Sequence, residues 1–448
     1  MIRFGPRQED ETSMPRSRHR WSRLVPLLAL VGVVVLLSGC GAEVVQPYSQ
    51  ITPQTAKAED IQTLYKIIFW AALIVFIGVQ AAILYTALRF RRRNEERPEQ
   101  VHGSRKLEIA WTIIPAVILL VLFIPNAQVI FKHAAAEQGP DKFNIDVIGK
   151  QWWWEFRYRD IPADPNNPDA GPLVTANEVL IPVGADVLFH VTSNNVIHSF
   201  WVPQLSGKVD VIPGHDNPLQ FVASTPGEYF GECAEFCGAA HAWMRFKAKV
   251  VPQENFDAWV DAWRTPPATD GNPETADVVE VPAAFGVCLA CHRVNGTNAS
   301  VALEGMPGLS GYIQGRLDED EADAVSADDQ ESGPIDPQVV PGPGPNLTLL
   351  ACRDTIAAGL LENTPENLER WLKHTDEVKE GVYMPNYYEQ GSINDDQVAE
   401  LVTFLQSLKP ADGCPDEDLL VGGDVPRAEV EATDPRSADP TGAGDEPQ

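Results

Sequence analysis

At 448 residues the chain is longer than one ordinary domain, and two or three are expected. A formal net charge of −29 excludes a nucleic-acid-binding protein, which needs a basic face. The charge is unevenly spread, with arginine clusters in the N-terminal third and acids in two later stretches, as suits a membrane-proximal half and a soluble half.

The chain begins with a leader. "RSRHRWSR" precedes the apolar run "LVPLLALVGVVVLL", which ends in "LSGC" at Cys40. A basic start, a short apolar core and small residues before the cut describe a secretory signal over residues 1–39. The cysteine after Leu37-Ser38-Gly39 matches a bacterial lipoprotein box, with Cys40 as the lipidated first residue. The competing reading is an uncleaved membrane helix with an incidental cysteine.

Two further apolar runs, Tyr65–Leu88 and Ala110–Ile130, are each long enough to cross a bilayer at about 20 residues per span. Together they predict a transmembrane helical hairpin over residues 58–132, with Pro115 and Pro125 tolerated as kinks. The short loop "RFRRRNEERPEQVHGSRK" between them is basic and therefore cytoplasmic. The mature N-terminus and everything after Ile130 then lie outside the cytoplasm, in a two-pass protein of a bacterial cell membrane.

Residues 143–252 change character. "FNIDVIG", "EVLIPVG", "DVLFHVTS", "LQFVAS" and "RFKAKVV" alternate apolar and polar residues and are broken by turn formers, which predicts a β-sandwich or small barrel. Two peptides in it carry soft and imidazole ligands: "NNVIHSFWVP", with His198, and "CAEFCGAAHAWM", with Cys233, Cys237, His241 and Met244. Zinc does not favour methionine, and a mononuclear blue-copper site needs only one cysteine. Two cysteines four apart can instead bridge two copper ions. A zinc site and a Cys233–Cys237 disulfide are the alternatives.

With "GKVDVIPG", "LEIAWTIIPAVIL" and "GKQWWWEF" in the same order, these strings resemble subunit II of haem–copper cytochrome c oxidases over about Ala58 to Pro252. The resemblance implies a cupredoxin-like sandwich holding a binuclear copper A centre. It implies that Cys233 and Cys237 bridge both coppers, and that His198 and His241 each bind one. It further implies Met244 as a weak axial ligand and the Glu235 carbonyl as its counterpart. The Glu235 side chain would help bind a magnesium ion shared with subunit I. Trp152, first of the three tryptophans, matches the residue through which electrons enter from cytochrome c; strand packing is the plainer account of Trp153 and Trp154.

Residues 253–280, rich in proline and acid, read as a linker to a further module at 281–411. "CLACH" is the attachment motif for c-type haem, in which two thiols form thioethers and the histidine binds iron. Cys288 and Cys291 are thus the attachment points and His292 the proximal ligand. The strings "GPGPNLT", "ENLERWLKHTDEVKEGVYMPNYY" and "INDDQVAELVTFLQSLK" resemble a class I cytochrome c domain, all-α, in which the methionine of "MPN" binds iron; here that is Met384. Met306 is a competitor in the wrong place. His–Met ligation raises a haem's potential, as befits a donor to copper. An acidic insert at about 313–340 and the tail 415–448 have too little to bury and read as disordered. Cys352 and Cys414 remain, a possible disulfide in an oxidising compartment.

The multidomain whole reads as the subunit through which electrons reach a bacterial cytochrome c oxidase, fused to its own cytochrome c. Its partners would be subunit I, other oxidase subunits and an external donor, either cytochrome c or a quinol–cytochrome c reductase. The rivals are the equivalent subunit of a copper A-containing nitric oxide reductase and a free-standing membrane electron carrier.

Overall fold

The computed structural model describes residues 49–91, 103–133, 139, 141–166, 171–265, 281–289, 291–294, 344–410 and 413–415. The leader with Cys40, most of the linker, Met306, the acidic insert and the tail beyond 415 lie outside the described residues.

Two long apolar helices come first, α1 (Ala56–Arg89) and α2 (Arg105–His133). Their apolar side chains face outward: Ala58 is the one buried residue of α1, and α2 has none. Such surfaces are stable only in a hydrocarbon surround. Pro115 and Pro125 both lie inside α2. At the outer end Asp60 pairs with Lys132 (2.6 Å) and His133 (2.7 Å), closing the hairpin. Thr55 caps α1 by accepting from the Ala58 amide, and its hydroxyl donates to the Leu205 carbonyl of the next domain. Gln54 N donates to the Gln204 carbonyl beside it (2.8 Å).

That domain is a sandwich of two five-stranded sheets. The strands are β1 (Phe143–Lys150), β2 (Trp153–Pro162), β3 (Pro172–Ala176), β4 (Glu178–Pro182), β5 (Asp186–Ser193), β6 (His198–Trp201), β7 (Val209–Val211), β8 (Asn217–Val222), β9 (Gly227–Cys233) and β10 (Arg245–Val251). One sheet runs β3-β2-β1-β5-β8 and the other β4-β10-β9-β6-β7. Alternation along β1 and β5 buries Ile145, Val147, Val187, Phe189 and Val191 between the sheets. Phe200 stacks on Phe246 at 4.6 Å, with Trp154 edge-on at 5.3 Å. Tyr158 staples the layers: its hydroxyl donates to the Leu180 carbonyl (3.0 Å) and accepts from the Leu180 amide (2.9 Å).

The expected linker starts later than residue 253. Gln253–Arg264 forms a helix, α3, that buries Phe256, Trp259, Val260 and Trp263 against the sandwich. Those positions recur at helical spacing, so the sandwich supplies the apolar surface that holds the helix in place. Trp259 meets Tyr158 at 5.4 Å between ring centres.

The C-terminal module has 3₁₀ turns at Ala283–Val287 and Leu350–Cys352, a two-residue ladder of β11 (Thr355–Ile356) and β12 (Leu361–Glu362), and helices α4 (Pro365–Lys373), α5 (Thr375–Val378) and α6 (Asp395–Gln406). Asn394 and Gln397 form a capping box at the start of α6. Val398, Leu401, Phe404, Leu405 and Leu408 pack against Phe285, Leu368 and Leu372, and Val402 is only partly buried. Cys352 and Cys414 are joined, with Sγ–Sγ 2.10 Å and Cα–Cα 5.3 Å.

The module docks on the sandwich. Asp354 reaches Lys249 (2.7 Å) and Lys247 (3.1 Å) on β10. Glu178 on β4 accepts from the amides of Asp354 (3.1 Å) and Thr355 (3.2 Å) and pairs with Lys249 (3.3 Å). Glu228 on β9 completes the group through Lys247 (3.3 Å). Burial alone would raise the Asp354 pKa, but Lys249 and Lys247 outweigh it and hold the carboxyl well below its ordinary range.

Candidate metal centre

Sheet pairing assembles the soft ligands. His198 opens β6, Cys233 closes β9, and Phe200 on β6 lies opposite Cys233. The chain then loops out, turns through His241–Trp243 and re-enters at β10 just after Met244. The Cys233 amide donates to the Met244 carbonyl (3.0 Å) and the Ala234 amide to the Ser199 carbonyl (2.9 Å), which close the loop at its base.

The result is two matched halves. Cys233 Sγ lies 3.8 Å from His198 Nδ1 and 3.2 Å from the Glu235 carbonyl. Cys237 Sγ lies 3.7 Å from His241 Nδ1 and 4.0 Å from Met244 Sδ. The two sulfurs are 3.7 Å apart, far beyond the ~2.05 Å of a disulfide. Each half therefore offers one thiol, one imidazole nitrogen and one weaker donor, with both sulfurs at the shared edge. This donor set fits a pair of copper ions bridged by two thiolates, and the thioether argues against zinc.

Supporting contacts point the same way. His198 Nε2 faces Asn195 Oδ1 at 3.1 Å, so the ring proton belongs on Nε2 and the Nδ1 lone pair is turned to the sulfurs. His198 and Met244 are fully buried, and Cys233 and Cys237 nearly so. The hydrogen bond between the two thiols holds Cys233 down to about 3 and pushes Cys237 up, with burial opposing the first shift and adding to the second. Glu235 is exposed, with its carbonyl turned inward, and its neighbour Phe236 is 76% exposed.

Trp152 sits against the same loop. Its Nε1 donates to the Cys237 carbonyl (3.1 Å), which also accepts from Gln151 Nε2 (2.8 Å). Gly238, at φ +117°, makes room: a Cβ there would stand 2.9 Å from the indole. Trp152 is only 4% exposed because the C-terminal module covers it. Tyr383 packs on it at 4.6 Å between ring centres, and Lys379 donates to its carbonyl. Burial pushes the Lys379 ammonium down to about 7, against the pull of Cys237. Trp153 lies under Lys150 (5.0 Å), and Trp154 is core, 6.0 Å from the His198 ring. Sequence reading missed Asn195, Gln151, Lys379 and Tyr383; the first lies in the quoted "NNVIH", and Tyr383 adjoins Met384.

In the module, one helical turn joins Cys288 to His292 through the His292 amide and the Cys288 carbonyl (2.9 Å). His292 Nδ1 lies 2.9 Å from the Pro345 carbonyl, so it carries the proton and leaves Nε2 free as a ligand. Gly344 leaves the ring its space, since a Cβ there would fall 2.7 Å from His292 Cε1. Cys288 and Met384 border the same apolar cluster, around Phe285 and Leu368. Cys288 and Cys291 are unbridged, and burial pushes the Cys288 thiol up to about 12. Two thiols outside any disulfide, a tautomer-fixed imidazole and a thioether beside an apolar core fit a covalently attached haem.

Comparison with known proteins places this arrangement. The family model described as "Cytochrome C oxidase subunit II, periplasmic domain" matches residues 143–251, and that for the transmembrane domain of the same subunit matches residues 48–129. Cytochrome c oxidase subunit 2 of Alkalihalophilus pseudofirmus is 30% identical over 405 residues, covering 87% of this chain and 98% of its own. That of Bacillus sp. PS3 is 31% identical over 405 residues, covering 86% and 97%. The crystal structure of the periplasmic domain of subunit II of cytochrome oxidase from Bradyrhizobium japonicum is 32% identical, covering 28% of this chain and 94% of that one at a TM-score of 0.23. The chain belongs to the cytochrome c oxidase subunit II family: a two-pass membrane protein with its sandwich domain outside the cytoplasm, serving a haem–copper oxidase as its copper A electron-receiving subunit.

Proposed function

We propose that this chain carries electrons from an external donor, through a haem of its own, to copper A and on to subunit I, where oxygen is reduced. Cys288 and Cys291 would hold the haem covalently, and His292 and Met384 would supply the ligands to its iron. Bound there, haem and copper supply one-electron couples, and the protein's part is to fix their ligands and exclude water. Cys233 and Cys237 would hold the copper pair through their thiolates, with His198, His241, Met244 and the Glu235 carbonyl as the further donors. The Glu235 side chain, exposed beside the site, is free to share a magnesium ion with subunit I.

The observation that carries this reading is the covered face of Trp152: the module bearing "CLACH" packs on the residue that also touches the Cys237 carbonyl. The relatives support the extension too, since an alignment covering 87% of the chain has to continue well past Arg264. The expected result is a chain that retains peroxidase-active haem after denaturing electrophoresis and loses it when Cys288 and Cys291 are both replaced by alanine. A wild-type chain with no covalent haem would refute the fused-cytochrome reading while leaving copper A untouched.

The leader gives a separate expectation. Cys40→Ala should abolish lipid attachment and lipoprotein-type processing, with α1 and α2 still holding the protein in the membrane. Mass spectrometry that finds Cys40 unmodified in the wild type would reject it.

A further inference from the structure

We propose that Tyr383 is the bridge by which electrons leave the C-terminal module for copper, a role that rests on the fused-haem reading above. The argument starts from continuity. Tyr383 precedes Met384 in the chain, so a continuous covalent path joins its ring to the sulfur assigned to iron. That ring lies 4.6 Å, centre to centre, from Trp152, tilted by 31°. Trp152 Nε1 in turn donates to the carbonyl of Cys237, whose sulfur is assigned to both coppers. Met384, Tyr383, Trp152 and Cys237 thus form a line with two non-covalent steps, the ring contact and the indole hydrogen bond to the Cys237 carbonyl.

The neighbourhood keeps this contact in register. Gly381, at φ +80°, has no Cβ to meet Ala239; one would fall 2.5 Å from the alanine methyl. Lys379 donates to the Trp152 carbonyl, and the Tyr383 hydroxyl reaches Gln151 Oε1 at 3.4 Å. Gln151 is itself bonded to the Cys237 carbonyl (2.8 Å). Gly381 therefore meets the copper loop at Ala239 while Lys379 and Tyr383 hold the adjoining Gln151–Trp152 pair, and the tyrosine ring is the part that meets the indole. One electron leaves the module and one arrives at the copper ligands. Neither ring is oxidised or gives up a proton, because both act only as the medium for tunnelling. Tyr383 is 44% exposed, and among the described residues its ring contact is with Trp152.

The test uses the full chain in its oxidase with haem and copper loaded, and photoreduction of the haem followed by its reoxidation. Tyr383→Leu empties the space over Trp152 and should slow internal transfer roughly tenfold or more. Tyr383→Phe restores the ring and should recover most of the rate. Haem and copper spectra and potentials, with hydrogen exchange of the segment around Trp152, report whether ligation and docking are intact. Because Tyr383 adjoins Met384, a cycle with Trp152→Leu is included: residues on one path give a double variant no slower than the slower single, whereas independent paths multiply. Unchanged transfer in Tyr383→Leu, or multiplied effects in the double variant, overturns the bridge. A wild-type chain without haem overturns the reading beneath it, and the two failures are separately visible.

Discussion

Replacing Cys237 by serine in the intact oxidase should remove the copper A signal entirely. Cys237 is one of the two sulfurs at the shared edge of the site: its sulfur lies 3.7 Å from Cys233, 3.7 Å from His241 and 4.0 Å from Met244. Serine is a hard and poorly ionised donor with a shorter reach, so the site loses one of its two shared sulfurs. Copper content should fall below two per chain, and the spectrum of an electron shared by two equivalent coppers should vanish. Met244→Leu should act more gently, keeping both coppers while shifting their potential, because it removes only a weak donor. The haem of the C-terminal module should be unaffected in both variants. A serine variant that still binds two coppers with the shared spectrum would end this account of the ligands.

Asp354→Asn should loosen the C-terminal module. The change keeps the shape of the side chain but leaves Lys249 and Lys247 with Glu178 and Glu228 alone in a buried cluster. Removing one partner of a buried ion pair costs about 3–5 kcal/mol, since the remaining charge is left undercompensated. The expected readout is faster hydrogen exchange at the amides of Asp354 and Thr355, which bond Glu178, with Trp152 becoming accessible. The sign of the pH dependence follows from the depressed pKa of Asp354. Its contribution is complete above the unfolded value of about 3.9 and drains away as pH falls below it. Glu228 runs the other way, raised by burial despite Lys247, with Asp354 adding to the rise. Wild type and variant should therefore differ most near neutral pH and converge in acid. Equal exchange in both proteins at pH 7 would show that the cluster does not hold the module.

Much of this was legible in local pattern. Two uninterrupted apolar runs announced the hairpin, and the alternation in "FNIDVIG" and "RFKAKVV" announced strands β1 and β10. The metal loop was readable because its donors are rare residue types crowded into twelve positions. Helix α3 was not read, although Phe256, Trp259, Val260 and Trp263 carry the helical period, because the prolines and acids that follow it dominated the segment. Docking of the module was illegible for a different reason. Asp354 and Lys247 are 107 positions apart, and nothing near either predicts the other. Tyr383 belongs to the same class: next to a ligand in sequence, it gains its meaning from a tryptophan 231 positions earlier.

The joint between α1 and the sandwich sets a dimension. Thr55 caps the membrane helix with the same hydroxyl that donates to Leu205, and Gln54 is bonded to Gln204, so no slack separates the two. Lys57, the second residue of the helix, reaches the Gln220 carbonyl at 3.3 Å. A leash would let the domain wander through a range of altitudes; this joint works as a strut. Any protein seated in the same bilayer therefore meets the thiolates of Cys233 and Cys237 at one fixed level, and a residue inserted between Thr55 and Ala58 would lift that level for every ligand at once.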